Sequence, residues 1–454
     1  MHRLLIEGAR VVTMDDAMRV FEGDILVEDG RIAALGAGLA ESLGAGMEGV
    51  ECLSAMGLVC IPAFVQTHIH LCQSLFRNLA DDLVLMDWLR QRIWPFEGAL
   101  CERTMGTSAD LGLSELIRSG TTTILDMGTV HHTDAVGESV ARSGMRAFIG
   151  KAMMDEGDEI PASLKETRSD SIAESLALAG RWHGAADGRI QYAFCPRFAF
   201  SCSTGLLREV GEVIADTGTM LHTHANETTW EVGESQRRWE STNIGHLHEL
   251  GLTGHRSVFA HGVHLCDAER SILKETDTAI THCPSSNLKL GSGIADIPLL
   301  WDWGIRVGLG ADGAPCNNNL DSFVEMRLAA LLQKPVHGPT AMPAARVLKL
   351  ATRHGAEVLG LGDQLGSIEV GKSADLVLLD LGKPHHGVDG PDAERLGGDV
   401  YARIVYSAHA SDVRYVFASG EALVRDGELT RYDVDELGAR GREALSTVAR
   451  RLNR

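Results

Sequence analysis

Two histidines at the end of an apolar run are the first residues whose spacing points to chemistry. The run Ile61-Pro-Ala-Phe-Val-Gln-Thr leads into His68-Ile-His70. Residues i and i+2 of a β-strand point to the same face, so both imidazoles leave the strand end side by side. Neutral imidazole is the commonest protein ligand for zinc and similar ions. Two such histidines can also be ordinary polar residues, so their interpretation depends on what other strands carry.

Later apolar runs end in residues of the same kinds. One run ends in Leu221-His-Thr-His-Ala-Asn-Glu227, the next in His261, and a later one in Asp312. Within the first of these runs His224 lies nearest the strand end, so we predict it as a metal ligand. We give His222 a role in packing or in holding a ligand. Each residue alone could cap a loop, but their recurrence at one end of several strands predicts a metal centre flanked by carboxylates.

The elements that carry these residues alternate between strands and helices. Amphipathic segments such as Thr107–Arg118 and Thr204–Thr217 separate eight apolar runs. This alternation predicts a parallel sheet, and eight repeats favour a (β/α)8 TIM barrel with its active site at the carboxyl ends of the strands. An open doubly wound sheet is the alternative, but no early G-x-G-x-x-G motif supports it. The predicted strands are Pro62–Thr67, Thr121–Asp126, Met145–Lys151, Ile190–Cys195, Thr219–His224, Arg256–His261, Thr278–His282 and Ile305–Asp312.

The two ends of the chain have a different pattern from the middle. Residues 1–60 and 365–432 contain short β-strand runs separated by glycines and acidic residues. We predict that they build one small β-sandwich from both chain ends. Residues 61–364 would form the barrel. Residues 433–454, which are charged with spaced apolar residues, would form a C-terminal helix.

Composition excludes several classes of partner. The formal net charge of -20 repels phosphate backbones, so we expect neither nucleic acid nor anionic membranes as partners. No apolar run reaches the roughly 18 residues that a membrane span needs. The 9 cysteines form no C-x-x-C pair, and the first residues show no signal-peptide pattern, so we predict a reduced, cytoplasmic location. The oligomeric state stays open, with a homodimer or homotetramer compatible with the sequence.

The constellation resembles the metal-dependent deaminase branch of the amidohydrolase superfamily over nearly the whole chain. The matching motifs are H-x-H on strand one, H-x-x-E after strand five, histidine after strand six and aspartate after strand eight. The resemblance implies a barrel beside a split β-sandwich and one divalent metal ion, zinc or alternatively iron or manganese. It implies Glu227 as proton shuttle and His261 as the residue that orients the attacking water or polarises the intermediate. The implied metal ligands are His68, His70, His224 and Asp312.

The loops resemble one group within that branch. The segments Leu79–Leu83, Trp88–Glu97, His282–Leu290 and Asp312–Asp321 are similar to the deaminases of S-adenosylhomocysteine, methylthioadenosine and 5′-deoxyadenosine. In those relatives the glutamate that matches Glu97 binds the ribose hydroxyls. A carboxylate can accept from two vicinal hydroxyls at once, so the role is physically reasonable. We therefore predict a substrate that carries a ribose outside the metal-bound ring.

Two residues depart from that group, and a third bears on the 5′ tail of its substrates. Arg197 follows strand four where its members often have histidine, and Gln73 lies three residues after the H-x-H motif. Both resemble guanine deaminases, where such residues grip the edge of the base, and a guanidinium fork suits a carbonyl oxygen or ring nitrogen. Lys151 follows strand three where some adenosine-type relatives carry arginine, so recognition of a long 5′ tail stays open. Relatives that hydrolyse s-triazines leave that substrate class open too.

The resulting expectation is an enzyme, a cyclic amidine aminohydrolase that releases ammonia from a small purine-type heterocycle. An adenosine derivative is the preferred substrate, and a guanine-type free base or an s-triazine amino- or chlorohydrolase activity is the alternative. A non-catalytic scaffold is disfavoured because no proposed ligand is missing. The predicted catalytic residues are Glu227, His261 and Asp312. The predicted substrate contacts are Gln73, Trp88, Glu97, Lys151, Arg197 and Glu227.

Overall fold

A computed structural model describes residues 3–44, 48–157 and 159–453. The chain forms two compact units. The first comprises Met1–Val65, Ser114–Thr123 and Asp321–Tyr432, and the second comprises Gln66–Leu113, Ile124–Leu320 and Asp433–Arg454. Division into compact units does not show which parts fold independently, so the domain bounds drawn from the sequence stay a prediction.

The first unit contains one nine-stranded sheet built from both parts of the chain that flank the barrel. Val59–Pro62 pairs antiparallel with Leu376–Leu379, which joins early strands to late ones. Buried side chains such as Ile6, Val27 and Phe417 pack into one apolar cluster against this sheet. The strands, in spatial order, are Glu428–Leu429, Glu421–Arg425, Val413–Ala418, Leu376–Leu379, Val59–Pro62, Arg3–Val12, Val20–Glu28 and Arg31–Gly36, with Val50–Ser54 beside Arg3–Val12.

Eight parallel strands close into a barrel, which confirms the predicted fold class. Strand eight pairs with strand one through Leu309 and Gln66, and the ring also closes between strands four and five. Every residue of strand one and strand two is buried, as expected for a parallel sheet covered on both faces. The strands are Phe64–His70, Thr121–Met127, Arg146–Gly150, Ile190–Pro196, Met220–Ala225, Ser257–His261, Ala279–His282 and Val307–Leu309, with Ala152–Met153 and Asp312–Gly313 as short additional pairs.

The predicted barrel strands begin and end within three residues of the observed ones. The helices between them include both predicted amphipathic segments. Within the described ranges no helix is long and apolar enough to cross a bilayer. The helices are Leu39–Leu43, Leu85–Trp88, Trp94–Gly98, Glu102–Arg118, Thr133–Ser143, Arg168–Trp182, Thr204–Thr217, Thr229–Trp239, Asn243–Glu249, Asp267–Glu275, Pro284–Lys289, Ile297–Asp302, Ala314–Asn317, Ser322–His337, Ala344–Ala351, Arg353–Val358, Pro391–Arg395, Val400–Ala402 and Val434–Leu452, with π-helical turns at Leu89–Ile93 and Arg403–Ser407.

A capping box fixes the loop that leaves strand five. Helix Thr229–Trp239 begins with Thr228, whose side chain accepts from the backbone N–H of Glu231. The Glu231 carboxylate in turn accepts from the backbone N–H groups of Thr228 and Glu227. These bonds satisfy donors that the helix start leaves free, and they hold the backbone of Glu227 in place.

Candidate active site

Three histidines and one aspartate converge where barrel strands one, five and eight end. The Nε2 atoms of His68 and His70 lie 3.2 and 3.3 Å from Oδ1 of Asp312. Nε2 of His70 also lies 3.2 Å from Nε2 of His224. The four candidate ligand atoms all lie within 4.8 Å of one another. The structure therefore brings together the four residues that the sequence analysis proposed as metal ligands.

The outer ring nitrogens of two of these histidines are held by backbone carbonyls. Nδ1 of His70 donates to the carbonyl of Met127 at 2.7 Å, and Nδ1 of His224 donates to the carbonyl of Arg197 at 2.6 Å. Because a carbonyl can only accept, this network assigns the ring proton to Nδ1 in both residues. The Nε2 lone pairs of His70 and His224 therefore face the centre of the cluster.

His222 fixes the third ligand in the same way. Its Nδ1 donates to the carbonyl of Val258 at 2.8 Å, which leaves its Nε2 without a proton. Nδ1 of His68 lies 2.7 Å from that nitrogen and must be the donor. Nε2 of His68 is then bare, and it has no hydrogen-bond partner among the residues that the structure describes. His222 thus orients His68 from outside the cluster.

This donor set fits a small divalent cation. Bare nitrogens and a carboxylate oxygen face one another at 3.2–3.3 Å with no proton between them, and a cation would replace that repulsion with attraction. Burial lowers the pKa of His68 and His224 and lowers that of His70 to about 3, so these rings are neutral. These are the protonation states that metal ligands require.

Glu227 lies beside this cluster as a buried carboxyl group. Ser292 Oγ donates to its Oε1 at 3.2 Å, and Nε2 of His261 lies 3.5 Å from its Oε2. Burial, with a smaller contribution from the charge of Asp312, raises the pKa of Glu227 to about 8. In this environment the carboxyl group can hold a proton at neutral pH and give it to a neighbouring base.

His261 ends strand six and is oriented by a residue from another loop. Its Nδ1 donates to Oδ1 of Asn287 at 2.8 Å, so its Nε2 is bare. That nitrogen faces Oε2 of Glu227 and lies 3.9 Å from Oδ2 of Asp312. No partner for it occurs in the described part of the chain. His261 therefore points a free acceptor into the space between the two carboxyl groups.

Two of these residues have left-handed backbone conformations. The φ angles of His261 and Asp312 are +79° and +63°, in a region that side chains other than glycine rarely adopt. Each such residue costs about 1–3 kcal/mol, and such conformations cluster at active sites. The ends of strands six and eight are thus strained where their side chains enter the cluster.

Arg197 and Glu97 form a buried ion pair next to the cluster. Nη1 of Arg197 donates to Oε2 of Glu97 at 2.7 Å, and Nη2 donates to Oε1 at 3.1 Å. Gln73 Nε2 and Thr129 Oγ1 add bonds to the same carboxylate at 2.9 and 2.8 Å. Burial alone would raise the pKa of Glu97, but the charge of Arg197 outweighs it and lowers the pKa. Glu97 therefore stays ionised.

A cavity opens onto the cluster. Trp88, Arg197, Glu227 and His261 contribute polar groups to its wall. Its apolar lining consists of Leu85, Leu89, Phe198 and Leu290. An apolar pocket with a few convergent polar groups is typical of a small-molecule site.

Residues 59–423 match the model of the amidohydrolase family. The chain belongs to the amidohydrolase family. It is 36% identical to a 5-methylthioadenosine/S-adenosylhomocysteine deaminase of Moorella thermoacetica, over 97% of this chain and 98% of the relative. It is 39% identical to a 5′-deoxyadenosine deaminase of Methanothermobacter thermautotrophicus, over 94% of each chain. A zinc-bound adenosine deaminase of Xanthomonas campestris superimposes with a TM-score of 0.89 at 30% identity, over 98% of both chains.

Family membership settles the reaction class. This amidohydrolase is a hydrolase that acts on carbon–nitrogen bonds other than peptide bonds. The family is metal-dependent, and the cluster of three imidazoles and one carboxylate is the group that fits the ion.

The structure separates the predicted substrate contacts of this amidohydrolase into three sets. Trp88, Arg197 and Glu227 line the cavity. Among the described residues, Gln73 and Glu97 do not line the cavity, and Glu97 lies in helix Trp94–Gly98. Sequence spacing alone does not show which loop side chains contact each other. Here Glu97 forms an ion pair with Arg197.

Lys151 is not brought to the cavity of the amidohydrolase. Its fully buried ammonium group bonds to Glu166 and lies 2.6 Å from Oε2 of Glu174. It follows strand three directly, as predicted, but two carboxylates of another part of the chain neutralise it there. An unpaired buried ammonium group would be strongly unfavourable, which explains why Lys151 contacts these carboxylates.

Sequence reasoning missed two residues that orient side chains of the candidate site in this amidohydrolase. Asn287 orients His261, and Ser286 Oγ donates to Oδ2 of Asp312 at 2.6 Å. Both come from helix Pro284–Lys289 after strand seven. The available signal was the segment His282-Cys-Pro-Ser-Ser-Asn, which the sequence analysis used only for its resemblance.

Proposed function

We propose that this amidohydrolase is an aminohydrolase that removes the exocyclic amino group of an adenosine-type nucleoside and releases ammonia. The observation that carries the proposal is the convergence, at one cavity, of three bare Nε2 atoms, the Asp312 carboxylate and the buried Glu227. The names of two relatives, at 36% and 39% identity over nearly the whole chain, support 5′-deoxyadenosine, methylthioadenosine or S-adenosylhomocysteine as substrate.

The proposed cofactor is one zinc ion. Its ligands would be His68, His70, His224 and Asp312, a nitrogen-and-oxygen set that also accepts iron or manganese. When bound, such an ion acidifies a water molecule and so makes a hydroxide nucleophile available near neutral pH. The zinc found with the Xanthomonas campestris adenosine deaminase supports this choice of metal.

The first proton transfer involves residues on either side of the attacking water. Asp312 accepts a proton from that water. Ser286 Oγ donates to Oδ2 of Asp312 and so holds the carboxylate in position. His261 accepts a hydrogen bond from the water through its bare Nε2. The same nitrogen then accepts from the hydroxyl group on the tetrahedral carbon.

Glu227 carries the second proton transfer. Its carboxyl group gives a proton to the ring nitrogen beside the carbon under attack, which makes that carbon more electrophilic. The new carbon–oxygen bond forms while the ring nitrogen, rather than the carbon, takes up the electron pair. The proton that Asp312 took from water then reaches the amino group, and the carbon–nitrogen bond breaks as ammonia leaves. The hydroxyl group on that carbon gives its proton to the Glu227 carboxylate, which restores the acid and leaves a carbonyl.

The cavity walls suit a flat heterocycle. The side chains of Leu85, Leu89 and Phe198 can pack against its faces. The indole Nε1 of Trp88 is buried and lacks a hydrogen-bond partner in the residues that the structure describes. It can therefore donate to an acceptor on the ring edge, a role that suits a purine nitrogen.

One observation favours a second candidate, a deaminase or hydrolase of a free base or an s-triazine. Each oxygen of Glu97 already accepts two hydrogen bonds, which occupy the lone pairs that ribose hydroxyls would need. Arg197 uses two of its five N–H donors on Glu97 and presents its guanidinium to the cavity. A carbonyl or ring nitrogen of a free base would suit it.

Ammonia release from a substrate panel tests the proposal. The zinc-loaded protein would be offered 5′-deoxyadenosine, methylthioadenosine and S-adenosylhomocysteine, then adenine, guanine and an amino-s-triazine. We expect the nucleosides to give the highest kcat/KM. Turnover confined to bases or triazines would favour the second candidate, and no ammonia from any compound would overturn both. The Glu227→Gln variant serves as the background control.

A further inference from the structure

A second cluster of histidines surrounds one buried carboxylate in the first unit. We call it the Asp412 cluster and define it as His385, His386, His409 and Asp412. His385 and His386 lie in the short helical turn Pro384–His386, and Asp412 ends the turn Ala410–Asp412. None of the four takes part in the barrel site described above.

The ring nitrogens of this cluster converge on a single oxygen. Nε2 of His385 and Nε2 of His386 each lie 3.1 Å from Oδ2 of Asp412, and Nδ1 of His409 lies 3.5 Å from it. The rings of His385 and His409 are stacked with centroids 4.8 Å apart. The other carboxylate oxygen, Oδ1, accepts from Nζ of Lys383 at 2.9 Å. Lys383 therefore holds the carboxylate so that only Oδ2 faces the histidines.

Hydrogen bonding alone cannot satisfy this arrangement. Besides the imidazoles, the backbone N–H of His409 donates to Oδ2 at 3.0 Å. A carboxylate oxygen has two lone pairs in its plane, so it cannot accept from all of these groups at once. At least one imidazole nitrogen can instead turn a lone pair toward a cation placed beside Oδ2.

The spacing and the access both suit a metal ion. In a tetrahedral site with bonds of about 2.0–2.1 Å, neighbouring ligand atoms lie about 3.3 Å apart. The separations of 3.1 and 3.5 Å from Oδ2 bracket that value. Asp412 is fully buried, whereas the side chains of His385 and His409 are 36% and 61% exposed and line a surface groove. An ion can thus enter from solvent and meet a fixed carboxylate.

We propose that the Asp412 cluster binds one divalent transition-metal ion, separate from the ion of the barrel. Its ligands are His385, His409 and Asp412, whose ligand atoms all lie within 4.8 Å of one another. His386 and Lys383 hold the carboxylate. Two imidazoles and one carboxylate select zinc, nickel or copper over magnesium or calcium, and a solvent water completes the coordination. The ion links the turn Pro384–His386 to the turn Ala410–Asp412 and leaves the barrel reaction unchanged.

Metal stoichiometry of the full chain tests this proposal. Protein stripped with a chelator would be incubated with excess Zn²⁺, desalted and analysed by elemental mass spectrometry. We expect two equivalents for the wild type and one for His409→Asn, with ammonia release unchanged. His255→Asn is the matched control, because its side chain is 63% exposed and lies beside the carboxylate of Asp277. It should keep two equivalents.

A second pair of variants separates this site from the barrel. His68→Ala should lose the barrel ion and keep one equivalent, and His68→Ala combined with His409→Asn should keep none. His385→Asn should lose the same equivalent as His409→Asn, which keeps the test valid if one variant does not fold. A zinc content in both His409→Asn and His385→Asn equal to that of the wild type would overturn the proposal. This result can be told apart from a failure to release ammonia.

Discussion

Arg197 and Glu97, one hundred residues apart, form a bidentate ion pair that is almost completely shielded from solvent. The pair joins the loop after strand four to helix Trp94–Gly98, and it fixes the guanidinium that faces the cavity. Its geometry determines which edge of a substrate Arg197 can reach. The pair is therefore both a structural contact and the point at which substrate choice can be tested.

Breaking this pair should destabilise the protein. Glu97→Gln leaves a buried guanidinium without its counter-charge, and Arg197→Met leaves a buried carboxylate. Either change should lower the free energy of unfolding by about 3–5 kcal/mol. Urea denaturation of both variants and of the double variant measures the coupling. We expect the double variant to lose much less than the sum, and additive losses would show that the two charges do not depend on each other.

The same pair discriminates between the two substrate classes. If a ribose binds at Glu97, Glu97→Ala should weaken transition-state binding of a nucleoside by about 2–4 kcal/mol, as calculated from the fall in kcat/KM. The same change should leave kcat/KM for the free base unaltered. If Arg197 grips a free base, Arg197→Ala should damage that reaction severely. Parallel kinetics with 5′-deoxyadenosine and adenine measure both effects. Equal nucleoside turnover by wild type and Glu97→Ala would move our preference to the second candidate.

Glu227→Gln should abolish proton transfer and leave the metal in place. The amide keeps the shape of the side chain but cannot carry the proton, so turnover should fall by roughly 10²–10⁴-fold. Metal content measured on the same preparation is the control, and it should match that of the wild type. Loss of the metal would identify Glu227 as a ligand instead of a shuttle.

His222→Ala should weaken metal binding in the barrel without removing a ligand. His68 would lose the acceptor that fixes its proton on Nδ1, and changes of this kind reduce metal affinity by about 10–100-fold. Competition with a chromophoric chelator measures the affinity. His282→Ala is a matched control, since His282 is also buried at a strand end but bonds to none of the ligands in the described structure. Equal affinities in both variants would contradict the role given to His222.

Asp126 should make stability depend on pH. Burial raises its pKa from 3.8 to about 7, and the one hydrogen bond that opposes this shift comes from the backbone N–H of Leu71 to Oδ1; Oδ2 has no partner within the described ranges. Between these values the folded state binds more protons than the unfolded state, so this group makes stability fall as pH rises from about 4 to about 7. Asp126→Asn imitates the protonated acid and should gain stability relative to wild type across that window. Urea denaturation at several pH values measures the difference, and parallel curves would exclude this role.

The periodic signals in the sequence predicted the barrel because they report which residues face a core. In the buried strand Ser257–His261 the apolar run Val-Phe-Ala precedes His261, the polar side chain at the strand end. This pattern predicts that His68, His70, His224 and Asp312 lie at the same end of the barrel, and the family resemblance predicts that they form one metal site. The sequence pattern does not predict the ion pair between Glu97 and Arg197 or the contact of Lys151 with Glu166, because both contacts depend on the paths of loops. Asn287 was missed for the same reason, since its partner His261 lies 26 residues away.

Metal removal and replacement measures the central claim most directly. Wild-type protein and His68→Ala would be stripped with a chelator, reloaded with Zn²⁺ and assayed for ammonia release from 5′-deoxyadenosine. We expect stripped wild type to be inactive, reloaded wild type to regain turnover, and His68→Ala to stay inactive after reloading. Full turnover by the stripped wild type, or by His68→Ala, would contradict a reaction that depends on an ion held by the barrel histidines.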